Sequence, residues 1–403
     1  MSSRHGLHHP RATRHARHHR NHPVWRGVGL TVVAALAFGS SAVAAVTHRW
    51  NANLTRSHAM DLVPKGPDGP ADAAHGKDLN ILLLGSDSRD GENAQIGGQD
   101  SGRRSDVTIV MHVSADRKRV ELVSIPRDSL VDIPTCSMRD GSTTPPTSGA
   151  MINEAFSRGW QHGGTTDTER FDSAVGCSIT TVRANTGLAI DHFAVVDFVG
   201  FQGMVDALHG VDVCIEHDMK DTKFTGLDLK AGYQHLDGTQ ALALARSRHA
   251  YADGMDTSRI GSQQMLLAAL ADEALSKGAG DAPQLLSFVN QATRSLVVDD
   301  ELDPGNLAWS LRGVHADSIT FWTIPWQLSP QNVNRVVWTS QAADVWAAMA
   351  ADTPVADVLQ PADQTADPTG PTPDETAPSA DPALPEQITS VADQAQQAAA
   401  CPA

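Results

Sequence analysis

Positive charge is scarce in this sequence. Its 403 residues hold 31 Lys and Arg against 47 Asp and Glu, a formal net charge of -16, and no Lys or Arg occurs after Pro361. That balance gives no general attraction for nucleic acid, and no nucleic-acid motif is present, which argues against partners of that class. Internal repeats are also lacking. Cysteine is sparse: the four residues are Cys136, Cys177, Cys214 and Cys401. They suit an oxidising compartment. Cys136 and Cys177, in loop-rich or helix-start contexts, are the candidate disulfide. Cys214, in "GVDVCIEHD", reads as a buried thiol on a strand, and Cys401 as unpaired in a tail.

Long uncharged runs are limited to "GVGLTVVAALAFGSSAVAAV", residues 27–46. At about 1.5 Å per residue it spans roughly the 30 Å hydrocarbon layer. Six arginines precede it in a His- and Arg-rich segment, residues 1–26. The positive-inside rule then places the N-terminus in the cytoplasm and everything after the span outside, on a single-pass membrane protein. A cleaved signal peptide is the alternative, because "AVAA" offers small residues for cleavage. Residues 47–77 read as a linker broken by Pro64, Gly66, Pro67, Gly69 and Pro70. From 355 to 403 the Pro-, Ala- and Asp-rich composition predicts a disordered acidic tail.

Residues 78–354 carry the folded pattern, an α/β mixture long enough for one sizeable core. Strands are expected at 79–85, 106–113, 119–126, 192–198, 210–215 and 318–325. Helices are expected at 171–187, 198–210, 237–248 and 257–277, the last with Leu266, Leu267, Leu270 and Leu275 as its core stripe. Asp256, Thr257 or Ser258 can cap it, and Arg259 and Gln263, at i and i+4, share a face in its first turns.

The chemistry sits at strand ends. "GSDSRDG" (85–91) ends the first strand, "RRSDVT" (103–108) enters the second, "SIPRDS" (124–129) leaves the third, and "RSRHAYADGMDTSRIGSQQ" (246–264) gathers three more arginines. Residues at i and i+2 of an extended segment point the same way, which aligns Asp87 with Arg89 and Arg246 with Arg248. Guanidinium matches phosphate in a bidentate fork and stays charged. Asp87 and Asp106 are hard oxygen ligands of the kind Mg²⁺ takes alongside substrate phosphates. Arginines from separated segments plus two aspartates suggest a diphosphate held by guanidinium and metal together. Isolated Arg–Asp surface pairs would give the same spacing and contribute little. No general base stands out; His249 adjoins the arginines but reads as a solvated loop residue.

With these motifs assembled, the chain resembles the LytR–CpsA–Psr family. The order "NILLLGSDSR", "RSDVTIV", "VELVSIPRDS", "INEAFSRG", "VVDFVGFQGMVDALHGVDV", "LDGTQALALARSRH" and "MDTSRIGSQQ" matches over about residues 78–277. The resemblance implies a central mixed β-sheet flanked by helices on both faces, behind one N-terminal transmembrane helix. It implies an extracytoplasmic phosphotransferase. Such an enzyme moves a glycopolymer from a polyprenyl-diphosphate carrier to a peptidoglycan sugar hydroxyl, forming a phosphodiester and releasing polyprenyl phosphate. Asp87 and Asp106 match the Mg²⁺-associated aspartates. Arg89, Arg104, Arg127, Arg246, Arg248, Arg259 and Gln263 match positions around the diphosphate, with Arg89, Arg127, Arg246 and Arg248 in catalytic roles. Phosphatase chemistry on the diphosphate is an expected side reaction. A non-catalytic polyprenyl-diphosphate-binding module and an envelope regulator are the competing readings. Departures exist: Met151 stands where many relatives carry a basic residue. Tyr233 occupies a position that is Cys in some actinobacterial relatives, where it could pair with a cysteine like Cys214.

Overall fold

"LNILLLGS" and "SDVTIVMHV" carry consecutive apolar residues, so each segment can bury side chains on both faces of a sheet. The computed structural model describes residues 45–64, 76–86, 104–251, 256–277, 281–359 and 390–401. The two segments pair antiparallel at the centre of a seven-stranded sheet. Its strands are β1 (Thr55–Ser57), β2 (Leu79–Ser86), β3 (Ser105–Val113), β4 (Val120–Ser124), β5 (His192–Val196), β6 (Leu296–Asp299) and β7 (Ile319–Thr323). The spatial order is β1-β6-β5-β2-β3-β4-β7. β2 runs parallel to β5, β4 parallel to β7 and β1 parallel to β6, and the remaining pairs are antiparallel.

Helices cover both faces. On one, Leu82, Leu84, Val110, Val123 and Phe193 pack with residues of α1 (Glu154–His162) and α2 (Asp167–Thr186). On the other, Ile109, Leu122 and Phe321 meet Ala268 of α5 (Asp256–Ser276). A further core joins α3 (Phe198–Ala207), α4 (Gly238–Arg246) and α5 to the antiparallel pair Val211–Ile215 and Gly232–Leu236. α2 starts on a capping box, in which the Thr166 side chain accepts from the Glu169 amide and Glu169 returns a bond to the Thr166 amide. α1 crosses α2 closely enough that a Cβ at Gly159 would lie 2.3 Å from the Ser173 carbonyl oxygen.

The expected mixed sheet with flanking helices is therefore present. Several boundaries move. Residues 1–49 cluster apart from 50–403, and of the former only 45–49, which are helical, are described. The expected span 27–46 lies outside the described residues except for its last two. Among the described residues no helix is long and apolar enough to cross a membrane. The 47–77 linker is partly folded: β1 pairs with β6, and Leu54, Ala59 and Val63 are buried. The breakers at 64–70 hid an apolar pattern just before them. α6 (Ala282–Ser295) and α7 (Gln341–Ala350) are helices within 78–354 that the pattern did not single out, and the core residue Val355 lies one position past the expected limit.

The tail also departs from its expectation. Residues 391–400 form α8 (Val391–Ala400), with Val391, Gln394 and Ala398 buried. Gln394 Nε2 donates to the Asp212 carbonyl at 2.8 Å, and Cys401 is bonded to Cys214. Neither cysteine is a free thiol, and composition lost to a covalent link plus a small apolar face. Tyr233 lies directly across the strand pair from Cys214, so a cysteine there would compete for the same sulfur. Cys136 and Cys177 are joined as well. Leu275 is exposed rather than part of the core stripe of α5, where Leu266 and Leu270 are buried.

Candidate functional site

Strand direction brings the charged segments to one edge. β2, β4, β5 and β7 all point their carboxyl ends the same way, and β3, running opposite, starts there. Ligands collect at such edges of α/β sheets. A register shift at Gly85–Ser86 bends the end of β2, and Gly85 passes so close to Val107 that a Cβ there would sit 2.9 Å from it.

Asp106, the second residue of β3, is the hub. Arg127, in the turn after β4, donates from Nη1 to Asp106 Oδ1 at 2.5 Å. Arg248, in the loop after α4, brings Nη2 to 3.9 Å from the same oxygen. Arg259, in the first turns of α5 and 2 % exposed, donates from Nη2 to the Asp106 carbonyl at 2.9 Å. Both side-chain contacts of Asp106 fall on Oδ1; Oδ2 has no partner among the described residues. Two guanidinium groups thus face the Asp106 carboxylate and a third its backbone carbonyl, at side-chain exposures of 13 % for Arg127 and 32 % for Arg248. The excess positive charge is partly desolvated, which strengthens its hold on an anion relative to open water.

The other expected residues fall around this hub in different ways. Arg246 lays its guanidinium over the Phe198 ring at 4.4 Å, at the mouth of β5. Gln263 donates to the Ala245 carbonyl at 3.1 Å, satisfying an open acceptor in the last turn of α4. That contact supports the arginine loop. Arg104 is exposed, two residues before Asp106. Asp87 and Arg89 lie outside the described residues, so the expected pairing of Asp87 with Asp106 and of Asp87 with Arg89 falls there too.

Sequence reasoning overlooked three contributors. Gln264, 3 % exposed, donates from Nε2 to Ser124 Oγ, the Trp322 carbonyl and Thr323 Oγ1, pinning α5 to the ends of β4 and β7. Arg335 approaches Asp128 Oδ1 at 3.8 Å, and Arg127 Nε approaches the same oxygen at 3.9 Å. Arg335 comes from the hairpin Trp326–Ser329 and Asn332–Trp338. The alternation in "NVNRVVW" signals its strand but not its neighbour. Asp221 is buried beside the arginine loop, where it accepts from Ser247 Oγ at 2.9 Å.

A model of the LytR_cpsA_psr family matches residues 40–351. The chain is 31 % identical over 320 residues to the cell wall biosynthesis protein LcpA of Corynebacterium glutamicum, covering 75 % of this chain and 60 % of that protein. Among solved structures, TagV of B. subtilis superposes with a TM-score of 0.51 at 25 % identity, over 69 % of this chain and 97 % of that one. TagT bound to LI-WTA superposes with a TM-score of 0.53 at 21 % identity, over 74 % and 98 %. That last likeness is one of fold. The chain spans about 60 % of the length of LcpA.

Proposed function

This chain belongs to the LytR_cpsA_psr family, and from that premise we propose that it is a phosphotransferase of cell-wall assembly. The proposed reaction moves a glycopolymer from a polyprenyl-diphosphate carrier onto a peptidoglycan sugar hydroxyl. The convergence of Arg127, Arg248 and Arg259 on Asp106 at one sheet edge carries the reading. The description of LcpA as a cell wall biosynthesis protein supports it, as does the LI-WTA carried by TagT on a similar fold.

The arginines clamp the diphosphate and leave the glycan-bearing phosphorus open to attack. As the acceptor oxygen bonds to that phosphorus, the bond to polyprenyl phosphate breaks and negative charge grows on the departing oxygens. Guanidinium groups fixed beforehand meet that charge without reorganising. Arg246 and Arg248 hold the loop side of the group and Arg127 the sheet side, with Arg89 and Arg104 assigned to the approach. Gln263 and Gln264 keep α4, α5 and the strand ends in register.

The residues fit a magnesium ion. Asp106 keeps Oδ2 open to a hard cation, and Mg²⁺ needs only one or two carboxylates beside water and phosphate oxygens. Among the described residues no group of three His, Cys, Asp or Glu could hold a metal, so the ion would rest on Asp106 with Asp87. When bound, it would offset charge on the departing polyprenyl phosphate. Our reading places the folded part outside the cytoplasmic membrane, tethered by residues 27–46. Two disulfides suit that compartment, and a tether confines the search for a lipid-borne donor.

The test uses the full chain, a lipid-diphosphate-linked glycan and peptidoglycan. Asp106→Asn is expected to abolish transfer and to keep part of the donor binding. Normal transfer by that variant refutes the role given to Asp106. A parent chain that binds donor but never transfers it establishes a binding module instead.

A further inference from the structure

Beside the arginine loop, a hairpin of Met219–Asp221 and Leu227–Leu229 buries the Asp221 side chain to 1 % exposure. Its Oδ2 accepts from Ser247 Oγ at 2.9 Å and lies 3.7 Å from Nδ1 of His249. Its Oδ1 is buried and has no hydrogen-bond partner among the described residues. A buried carboxylate oxygen left unbonded is unfavourable, so a donor that reaches it is stabilising. The His249 ring is stacked on Phe224, with centroids 3.9 Å apart and planes 16° from parallel. The flat face of the imidazole thus lies against an aromatic ring and its Nδ1 faces a buried carboxylate at 3.7 Å, while its side chain is 59 % exposed. Its Nε2 makes no hydrogen bond or ion pair with the described residues. In the chain His249 directly follows Arg248, whose guanidinium is at Asp106.

We propose that His249 is the proton acceptor of the transfer reaction and that Asp221 is its positioning residue; this rests on the phosphotransferase reading above. Asp221 holds the tautomer with hydrogen on Nδ1, which leaves the Nε2 lone pair for the incoming hydroxyl. The acceptor O–H bond breaks toward Nε2 as its oxygen bonds to the glycan-bearing phosphorus. The bond from that phosphorus to the carrier breaks, and its electron pair leaves with polyprenyl phosphate. The proton then passes from Nε2 to water, which restores the neutral ring. The exposed ring suits an acceptor as bulky as peptidoglycan, which must reach the proton acceptor from solvent. Among the described residues, the charged groups near the ring are Asp221, Lys223, whose Nζ lies 5.2 Å from the Phe224 centroid, and the adjoining Arg248.

The experiment follows transfer by the full chain in detergent, with lipid-diphosphate glycan as donor and peptidoglycan fragments as acceptor, across pH. His249→Gln is expected to lower the transfer rate about 10²–10⁴-fold, to keep the parent's donor affinity, and to remove the acidic limb of the pH–rate profile. Asp221→Asn is expected to lower the rate and displace that limb; thermal melting reports whether the variant is folded. Parent-like rate and acidic limb in His249→Gln overturn the inference while leaving the phosphotransferase reading standing. Absence of transfer by the parent chain overturns both.

Discussion

Replacing Cys401 by Ser cuts the bond that returns the chain to Cys214 across a sequence separation of 187 residues. In the loop-entropy description, closing a loop of that length restricts the unfolded chain by about 5 kcal/mol at 25 °C, and observed values for disulfides reach from near 0 to that figure. What would remain to hold α8 is modest. Val391 and Ala398 are its buried apolar contacts, and Gln394 adds one bond to the Asp212 carbonyl. Burying one valine contributes about 1.5–3 kcal/mol, and a hydrogen bond about 1 kcal/mol. Ordering ten helical residues costs on the order of 10 kcal/mol in backbone entropy. The helix therefore relies on its tether, and Cys401→Ser should release it. The expected result is a loss of 2–5 kcal/mol in denaturant unfolding, with amide exchange at 391–400 rising to solvent-exposed rates. Unchanged exchange protection together with an unchanged midpoint would refute the dependence of α8 on the bond. Free thiols titrated in the oxidised parent would refute the bond itself.

Gly159→Ala should cost about 1–3 kcal/mol, because its Cβ would press on the Ser173 backbone at the α1–α2 crossing; a urea melt checks it. Asp299 accepts His192 Nδ1 at 3.0 Å and the amides of Phe193, Glu301 and Leu302. Burial pushes its carboxyl up, but the bond and charge of His192 and the two amides of Phe193 and Glu301 outweigh it, holding the group below its ordinary value of 3.8. The folded value is the lower one, so this contribution is complete above the unfolded value and fades as pH falls through the folded one. Asp299→Asn should destabilise at neutral pH by about 2–4 kcal/mol and flatten stability against pH below about 4, read by melts at stepped pH. Arg248→Lys keeps the charge and loses the fork, so donor affinity should fall on the order of tenfold, measured by titration.

The central sheet was legible because its strands are strongly patterned: "LNILLLG" and "DVTIVMHV" are short apolar runs suited to two covered faces. α5 announced itself by its capping residues and apolar stripe, and α4 by a helical pattern over 237–248. β1 and α6 were hidden, the first behind proline and glycine, the second in a mixed polar and apolar stretch whose packing depends on partners far away in sequence. At the site, the arginine segments were readable because each lies at a strand or helix end, and direction of the sheet then assembles them. Gln263 and Gln264 were not separable from sequence, since one residue of helix rotation decides which faces the strand ends. Asp221 was equally silent: a short hairpin gives no periodic signal, and only its burial beside Ser247 marks it. α8 was masked by composition, as alanine and glutamine describe a helix and a coil alike.

The hairpin from Trp326 to Trp338 touches the exit of β4 at three points. Val336 donates its amide to the Asp128 carbonyl, Trp338 Nε1 donates to Ser129 Oγ, and Arg335 faces Asp128. Arg127 is the neighbour of those residues, so its aim is set from two hundred positions downstream. Genetic variation along 332–338 will then masquerade as variation in donor recognition, although the hairpin need never meet the donor. Surveys that weigh only the arginine motifs will misjudge such alleles.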